Sequence, residues 1–350
     1  MSAGPDSNGE RAPAPAVVPV FGSTCAQCSA AVQSILERSG LAPAFFAGQR
    51  PVHAPPEAEA YLQPSNPRLL ELREAYRALQ DGSLTHSRWS AEYVRRDVPL
   101  LSFRSDCAYV WQRRDLNGPM QLALTAYYLL GSAAAPYLRL GEDSLFGADT
   151  ISVGGALTVS RDLLDSASEL WFLDRFLGLR GAQDFTVLDI GSGYGRFAHR
   201  LVRAFPGVEA LCVDAIAEST FLCEYYLRFR GVESRARVIP FPDAAAALAA
   251  RRVEVAVNIH SFSECTLQSI VWWLDLLRAH RVKHLMIAPN AQAGGGRELL
   301  SWEEDGSRRD FAQEIRARGY RPIACEPKYA DPLLQRYGVT PTHYFLFELA

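Results

Sequence analysis

Two short stretches hold the residues whose types and spacing can do chemistry. The first is Thr186-Val-Leu-Asp-Ile-Gly-Ser-Gly-Tyr-Gly195, where Asp189 precedes three alternate glycines, Gly191, Gly193 and Gly195. Glycines spaced in this way let backbone amides approach a nucleotide-bearing ligand at a strand-to-helix turn. The dinucleotide fingerprint asks for a further glycine at position 196, which holds Arg. A carboxylate at the strand tip would repel a pyrophosphate, whereas it suits a ligand carrying ammonium and sulfonium charge. Those charges belong together in S-adenosylmethionine (SAM), the cofactor expected here. The plainer reading of Asp189 is a turn-stabilising carboxylate. Asp214 ends the next apolar run, Val208 to Val213. It can accept hydrogen bonds from both ribose hydroxyls, and bonds to a charged group contribute about 1.5–3 kcal/mol. The alternative for Asp214 is an N-cap of a helix over 216–230.

The second stretch is Asn258-Ile-His-Ser-Phe-Ser-Glu264. It follows the fourth apolar run, and in open α/β sheets ligands sit beyond the strand carboxyl ends, where strand order switches. Asn258 can bond the ligand amine or the substrate, His260 is the candidate general base, and Glu264 can orient the imidazole. Two of them have a structural alternative: Ser261-Phe-Ser-Glu264 matches a capping box, and an isolated His is by default a structural residue. Asn258 does not begin the Asn-Pro-Pro-aromatic motif of amino-group methyltransferases, which argues against N-methylation. Further upstream, Ser160-Arg161-Asp162 opens a helix whose start can approach the methionine carboxylate, with Arg161 as its partner. The alternative there is a capped surface turn.

Elements must position these groups. From Phe185 onward, short apolar runs alternate with helical patterns, which predicts a parallel sheet. Strands are expected at 185–190, 208–213, 236–240, 253–258, 282–288, 321–326 and 343–349, and helices at 195–205, 216–230, 243–250, 264–280 and 307–319. The last two strands lack a long helix between them, so the final one should pair antiparallel. The expected fold is α/β: a class I methyltransferase Rossmann-like seven-stranded sheet with an N-terminal mostly helical region. The front half reads as a flexible arm over 1–24, then a mostly helical lid and substrate region over 25–180, ahead of a SAM-binding domain over 181–350. Within it, helices are expected at 26–39, 67–79, 86–94, 119–131 and 160–179. The proline-broken stretch 41–67 and the glycine-containing stretch 133–155 should be irregular, and 102–114 is ambiguous. Trp89, Tyr93, Tyr109, Trp111, Tyr127 and Tyr128 can stack on a sugar or polyketide, although such aromatics more often form core.

Val187–Arg196, Asn258–Glu264, Gly296-Arg-Glu298 with Ser301-Trp-Glu303, and His343-Tyr-Phe-Leu-Phe347 together resemble the sugar O-methyltransferase family of natural-product gene clusters. The resemblance spans roughly Trp89 to Leu349, and the Asn258–Glu264 stretch is its specific part. Cys265 stands where Met is common in that family. The resemblance implies in-line transfer of a SAM methyl group to a hydroxyl of a sugar or glycosylated natural product, with a base taking the hydroxyl proton. A rival of another class keeps the cofactor and catalyses cyclisation or isomerisation of a polyketide-type substrate. A third reading is SAM binding without catalysis, against which Asp189, Asp214 and His260 argue.

Composition bounds the rest. The 350 residues are 48% hydrophobic and 21% charged with a net charge of -3, an ordinary globular balance that argues against a general nucleic-acid binder. No run of eighteen apolar residues occurs, so no membrane span is expected, and Met1 to Val20 lacks a secretory pattern. Seven scattered cysteines suit reduced thiols and a cytoplasmic location. Cys25 and Cys28 have CxxC spacing without a second pair. No carboxylate cluster in the back half has metal-ligand spacing, so no metal is expected. The expected partner is a small-molecule sugar or glycoside, with room for a homodimer.

Overall fold

The structure is a computed structural model that describes residues 53–77, 89, 94, 99–105, 118–291 and 295–350. The expected arm over 1–24, the helix over 26–39, the Cys25/Cys28 pair, Tyr93, Tyr109 and Trp111 lie outside the described residues, as does most of 86–94.

In chain order the front half carries α1 (Pro56–Tyr61), α2 (Pro67–Arg77), α3 (Gly118–Leu130), α4 (Ala135–Leu138), β1 (Thr150–Val153), β2 (Leu157–Ser160) and α5 (Arg161–Leu177). The back half follows with β3 (Phe185–Ile190), α6 (Arg196–Ala204), β4 (Val208–Asp214), α7 (Ala217–Phe229), β5 (Ala236–Pro240), α8 (Ala244–Ala250) and β6 (Val255–Ile259). It ends with α9 (Leu267–Ala279), β7 (His284–Ala288), α10 (Ala312–Ala317), β8 (Tyr320–Pro327), α11 (Pro332–Tyr337) and β9 (His343–Leu349).

β3 to β9 form one sheet in the order β5-β4-β3-β6-β7-β9-β8. β3 to β7 run parallel, while β9 is antiparallel to both β7 and β8. This is the Rossmann-like seven-stranded α/β architecture expected from the sequence. The central strands read as continuous apolar runs because both faces are covered: Val187, Leu188, Ala210, Val213, Val255, Ala256 and Val257 are fully buried. Chain order reverses between β3 and β6, where Asp189 pairs with Val257 and Ile190 with Asn258. The two chemistry-bearing stretches therefore leave the sheet side by side.

α5 shows why its sequence is a helix. Ser160 caps it by accepting from the Leu163 amide, and Gly178 ends it in the left-handed region at φ +65°. Three local expectations fail. The stretch 133–155 contributes β1, which pairs antiparallel with β2 across Gly154 and Gly155, at φ +59° and +74°. β-branched runs flanking a Gly-Gly pair are a hairpin signal that outweighs the loop-like composition. Within 41–67, α1 starts on Pro56, which serves as a first-turn proline rather than a breaker. Residues 261–264 form a 3₁₀ turn and α9 begins at Leu267, capped by Thr266 through the Ser269 amide, so the Ser261–Glu264 capping box does not form.

Candidate functional site

The turn after β3 is built by backbone. The Gly191 and Ser192 amides donate to the Val213 carbonyl, and the Gly195 amide to the Ser192 carbonyl. Gly191, Gly193 and Gly195 all have positive φ, at +74°, +56° and +88°, which L side chains resist. A β-carbon on Gly191 would collide with the Ser261 side chain, so this glycine also lets the β3 turn and the β6 loop touch. Gly193 meets no heavy atom within 4 Å of such a position, so its outer face is open.

Asp189 and Asp214 stand at the floor of this turn. Both are buried. Burial pushes the Asp189 carboxyl up to about 7, against the Arg196 charge and with help from Glu169 and Asp214. Its Oδ2 has no hydrogen-bond partner. Burial likewise pushes Asp214 up to about 7, opposed by the Gly193 and Ile216 amides. Those amides donate to Asp214 Oδ2 and Oδ1, each at 2.9 Å. Asp214 makes a two-residue side-chain turn ahead of α7 rather than capping it, since Ile216 occupies the N-cap without a side-chain bond. Each Asp214 oxygen keeps a second lone pair.

The start of α5 supports the turn from behind. The Tyr194 hydroxyl, inside the glycine turn, donates to Asp162. Arg196, standing where a dinucleotide site would want glycine, forks onto Glu169 at 2.8 and 2.9 Å and also donates to Ser166. Lys328 donates to Asp165 and to the Val339 and Thr340 carbonyls, which satisfies its three protons. Arg161 pairs with Asp162 at 2.9 Å and with Asp165 at 3.5 Å. The turn that holds Arg161 is capped, yet it is buried rather than on the surface. The network continues outward. Glu142 accepts from Arg104 at 2.5 Å and Arg200 at 2.7 Å, and Asp143 joins Arg104 to Arg230. Sequence reasoning missed these pairs. One signal was available: Asp162, Asp165, Ser166 and Glu169 recur at one, three and four residues, a polar stripe along α5.

The loop after β6 is built by side chains. Asn258 is buried, and its amide donates to the Ile190 carbonyl at 3.0 Å and to Ser261 Oγ at 2.5 Å. Its oxygen accepts from the Phe262 amide at 2.9 Å. Asn258 thus ties the β3 tip to the β6 loop, and both of its donors are engaged within the protein. His260 is held by its backbone, which donates to Ala288 at 2.7 Å and sits at φ +70°. Its Nδ1 is buried without a partner. Burial lowers the imidazole to about 4; Asp165 raises it, and Arg196, Lys328 and Arg161 lower it further. The Glu264 oxygens accept from Asn290 at 2.8 Å and from the Trp89 indole at 2.7 Å. Glu264 is thus engaged by Trp89 and Asn290, and the bond found at His260 is made by its main chain.

Of the front-half aromatics, Trp89 reaches this loop. Tyr127 is exposed on α3, and Tyr128 packs edge-on against Tyr329. α2 also bears on the site: the Tyr76 hydroxyl donates to the Asp214 carbonyl and accepts from the Phe241 amide. Among the described residues no group of His, Cys, Asp and Glu could hold a metal ion. Among the same residues no helix is long and apolar enough to cross a membrane.

No protein-family model and no curated protein matches the chain. Solved structures do. The glycopeptide N-methyltransferase MtfA complexed with sinefungin is 14% identical over 52% of this chain and 86% of its own, with a TM-score of 0.40. An S-adenosylmethionine-dependent methyltransferase from Clostridium acetobutylicum is 12% identical over 53% and 92%, with a TM-score of 0.38. The [4+2]-cyclase SpnF is 15% identical over 53% and 82%, with a TM-score of 0.36. Likeness this distant assigns the chain neither ligand nor reaction.

Proposed function

We propose that the chain binds SAM at the carboxyl ends of β3, β4 and β6 and is a SAM-dependent O-methyltransferase whose acceptor is a hydroxyl of a sugar or glycosylated natural product. The observation that carries the first half is Asp189. A buried carboxyl with an unpartnered oxygen, beside an open glycine turn, is relieved in the empty protein by holding a proton and is suited to exchange that proton for a cationic ligand. Asp214 adds acceptor capacity for hydroxyls one strand over, where a ribose would lie. When bound, SAM would supply an electrophilic methyl group on its sulfonium. The chain's own residues do the rest. Asp189 offsets ligand charge, Asp214 with the Gly193 amide fixes the turn, and His260 is the neutral base aimed from the neighbouring loop. The acceptor class rests on the resemblance carried by Asn258–Glu264.

One observation favours the second reading, cyclisation or isomerisation without methyl transfer. An imidazole held near 4 is a weak base for an alcohol proton. Mass spectrometry of reactions with SAM and glycosides separates the two. Methyl transfer adds one methyl to the acceptor and consumes one SAM per turnover. A rearranged product of unchanged mass with SAM intact supports the rival. Calorimetry that detects neither SAM nor sinefungin binding would sink both.

A further inference from the structure

We propose that the cleft between α2, α7 and residues 94–101 binds a neutral hydroxylated ring system, with Glu218 accepting the hydroxyl and Leu62, Val94, Leu100 and Leu101 holding the ring. The inference goes beyond the reaction proposed above and does not depend on it. The cleft has a volume of about 330 Å³, and Gln63 and Arg73 line it beside these residues. Its walls are fixed by the protein itself. Arg68 forks onto Glu224 at 3.0 and 2.6 Å, and Tyr61 stacks on Phe221 and Tyr225, so α1 and α2 are held along α7. Asn66 closes the turn between α1 and α2 by donating to the Tyr61 carbonyl at 2.8 Å. On the third side Phe103 stacks on Phe146, and the Arg104 amide donates to the Phe146 carbonyl at 3.0 Å. Leu62 and Val94 are buried, and Leu100 and Leu101 are half-buried.

The polar end of the cleft is an acceptor. The Glu218 side chain is 9% exposed, and its Oε1 takes both Nε and Nη2 of Arg73 at 2.8 Å. Arg73 Nη1 donates to the Pro64 carbonyl at 3.2 Å. Among the described residues nothing donates to Glu218 Oε2. Gln63 gives its amide to the Glu59 carbonyl at 2.5 Å, which leaves its own oxygen as a second acceptor. Arg73 balances the Glu218 charge, so an ammonium gains little over a neutral donor, and an anion is repelled by the carboxylate. A hydroxyl bonded to a carboxylate makes a short, charge-assisted bond. A cavity of about 150 Å³ holds benzene, so the space here suits two fused rings. An apolar cleft with a few placed polar groups is the usual form of a small-molecule site. The glycine turn contributes nothing to its lining among the described residues. The cleft still adjoins that turn: Tyr76, on α2 with Arg73, donates to the Asp214 carbonyl.

The test is calorimetry on the full chain with naphthalenes of one shape: 2-naphthol, 2-methoxynaphthalene and 2-naphthoate. 2-Naphthol should bind with and without saturating sinefungin, and at least about tenfold more tightly than 2-methoxynaphthalene, which has no donor. 2-Naphthoate should bind most weakly. In Glu218→Gln the amide oxygen keeps Arg73 and the amide nitrogen faces the cleft, so the order should invert, with 2-naphthoate above 2-naphthol. Leu100→Trp fills the cleft and should abolish 2-naphthol binding at a melting temperature within a few degrees of the wild type. The Glu218→Gln inversion decides the matter should Leu100→Trp fail to fold. A chain that binds 2-naphthol and no sinefungin fails the SAM reading alone. The proposal is overturned if 2-naphthol does not bind the wild type, if sinefungin displaces it, if Glu218→Gln keeps the wild-type order, or if folded Leu100→Trp binds 2-naphthol as the wild type does.

Discussion

The turn after β3 and the loop after β6 leave the sheet next to each other and are built in opposite ways. The turn is made by backbone: three glycines at positive φ, amides bonded to carbonyls, and one carboxylate, Asp189, left with a bare oxygen. The loop is made by side chains. Asn258, Ser261, Ser263 and Glu264 are all bonded within the protein, and only the His260 ring offers a free buried nitrogen. A backbone-made site accepts a ligand by shape and charge. A side-chain-made site is a rigid frame that presents one reactive group. The first suits a cofactor and the second suits chemistry on an acceptor.

The comparison breaks first at His260. If the frame exists to present this ring, His260→Ala should lower turnover by about 10²–10⁴ with SAM affinity nearly intact. Because burial holds the imidazole near 4, it is already neutral at pH 6, so its loss of activity should appear only toward pH 4. An acid limb near 6.5, or a folded variant with wild-type turnover, would remove it from the mechanism.

Gly191 is where the two halves touch, so Gly191→Ala should harm both. Its strained φ costs about 1–3 kcal/mol, to which the collision with Ser261 adds. Gly193→Ala, at a similar φ but with open space, should cost only about 1–2 kcal/mol. Chemical denaturation of the pair measures the difference, and equal losses would mean that the contact with Ser261 is unimportant.

Asp214→Ala should weaken SAM binding by about 1.5–3 kcal/mol and free the Gly193 and Ile216 amides. Unchanged calorimetric affinity in the folded variant would contradict the ribose role.

The smallest effect is a pH dependence at Asp189. Its carboxyl is pushed up to about 7, so below that pH the folded protein holds a proton that a cationic ligand must displace. SAM affinity should then fall about tenfold per pH unit as pH drops below 7 and level off above it. The apo protein follows the reverse sign. A raised carboxyl binds more protons folded than unfolded, so its contribution to stability declines as pH rises from about 4 to 7. Asp214, pushed up to about 7 as well, adds a like slope of its own, so Asp189→Asn should shrink both slopes without abolishing them, and a variant with wild-type pH dependence would assign the whole titration elsewhere.

The same contrast explains what could be read from residues alone. Alternating runs and helical patterns placed β3 to β9 within two or three residues, because both faces of the central sheet are apolar. The antiparallel β9 followed from the short gap before it. The glycine turn that follows Asp189 was legible because spacing determines a backbone turn. The roles of Asn258 and Glu264 were not, because they depend on partners far along the chain: Ile190 lies 68 residues from Asn258, and Trp89 lies 175 from Glu264. The β1–β2 hairpin was hidden in glycine-rich composition, although its Gly-Gly pair was visible.

The ionic pairs behind the glycine turn bear on how this chain can be divided. A fragment starting after Gly181 would retain every strand of the large sheet. It would lose Glu142, Asp165 and Glu169, and leave Arg200, Lys328 and Arg196 without counter-ions. The cut would also uncover the apolar surface against which Leu163, Leu164, Ala167, Leu170 and Leu173 of α5 are fully buried. The front half is therefore no detachable module. Grafting a different front half onto this sheet would have to carry α5 and the Glu142 loop along with it.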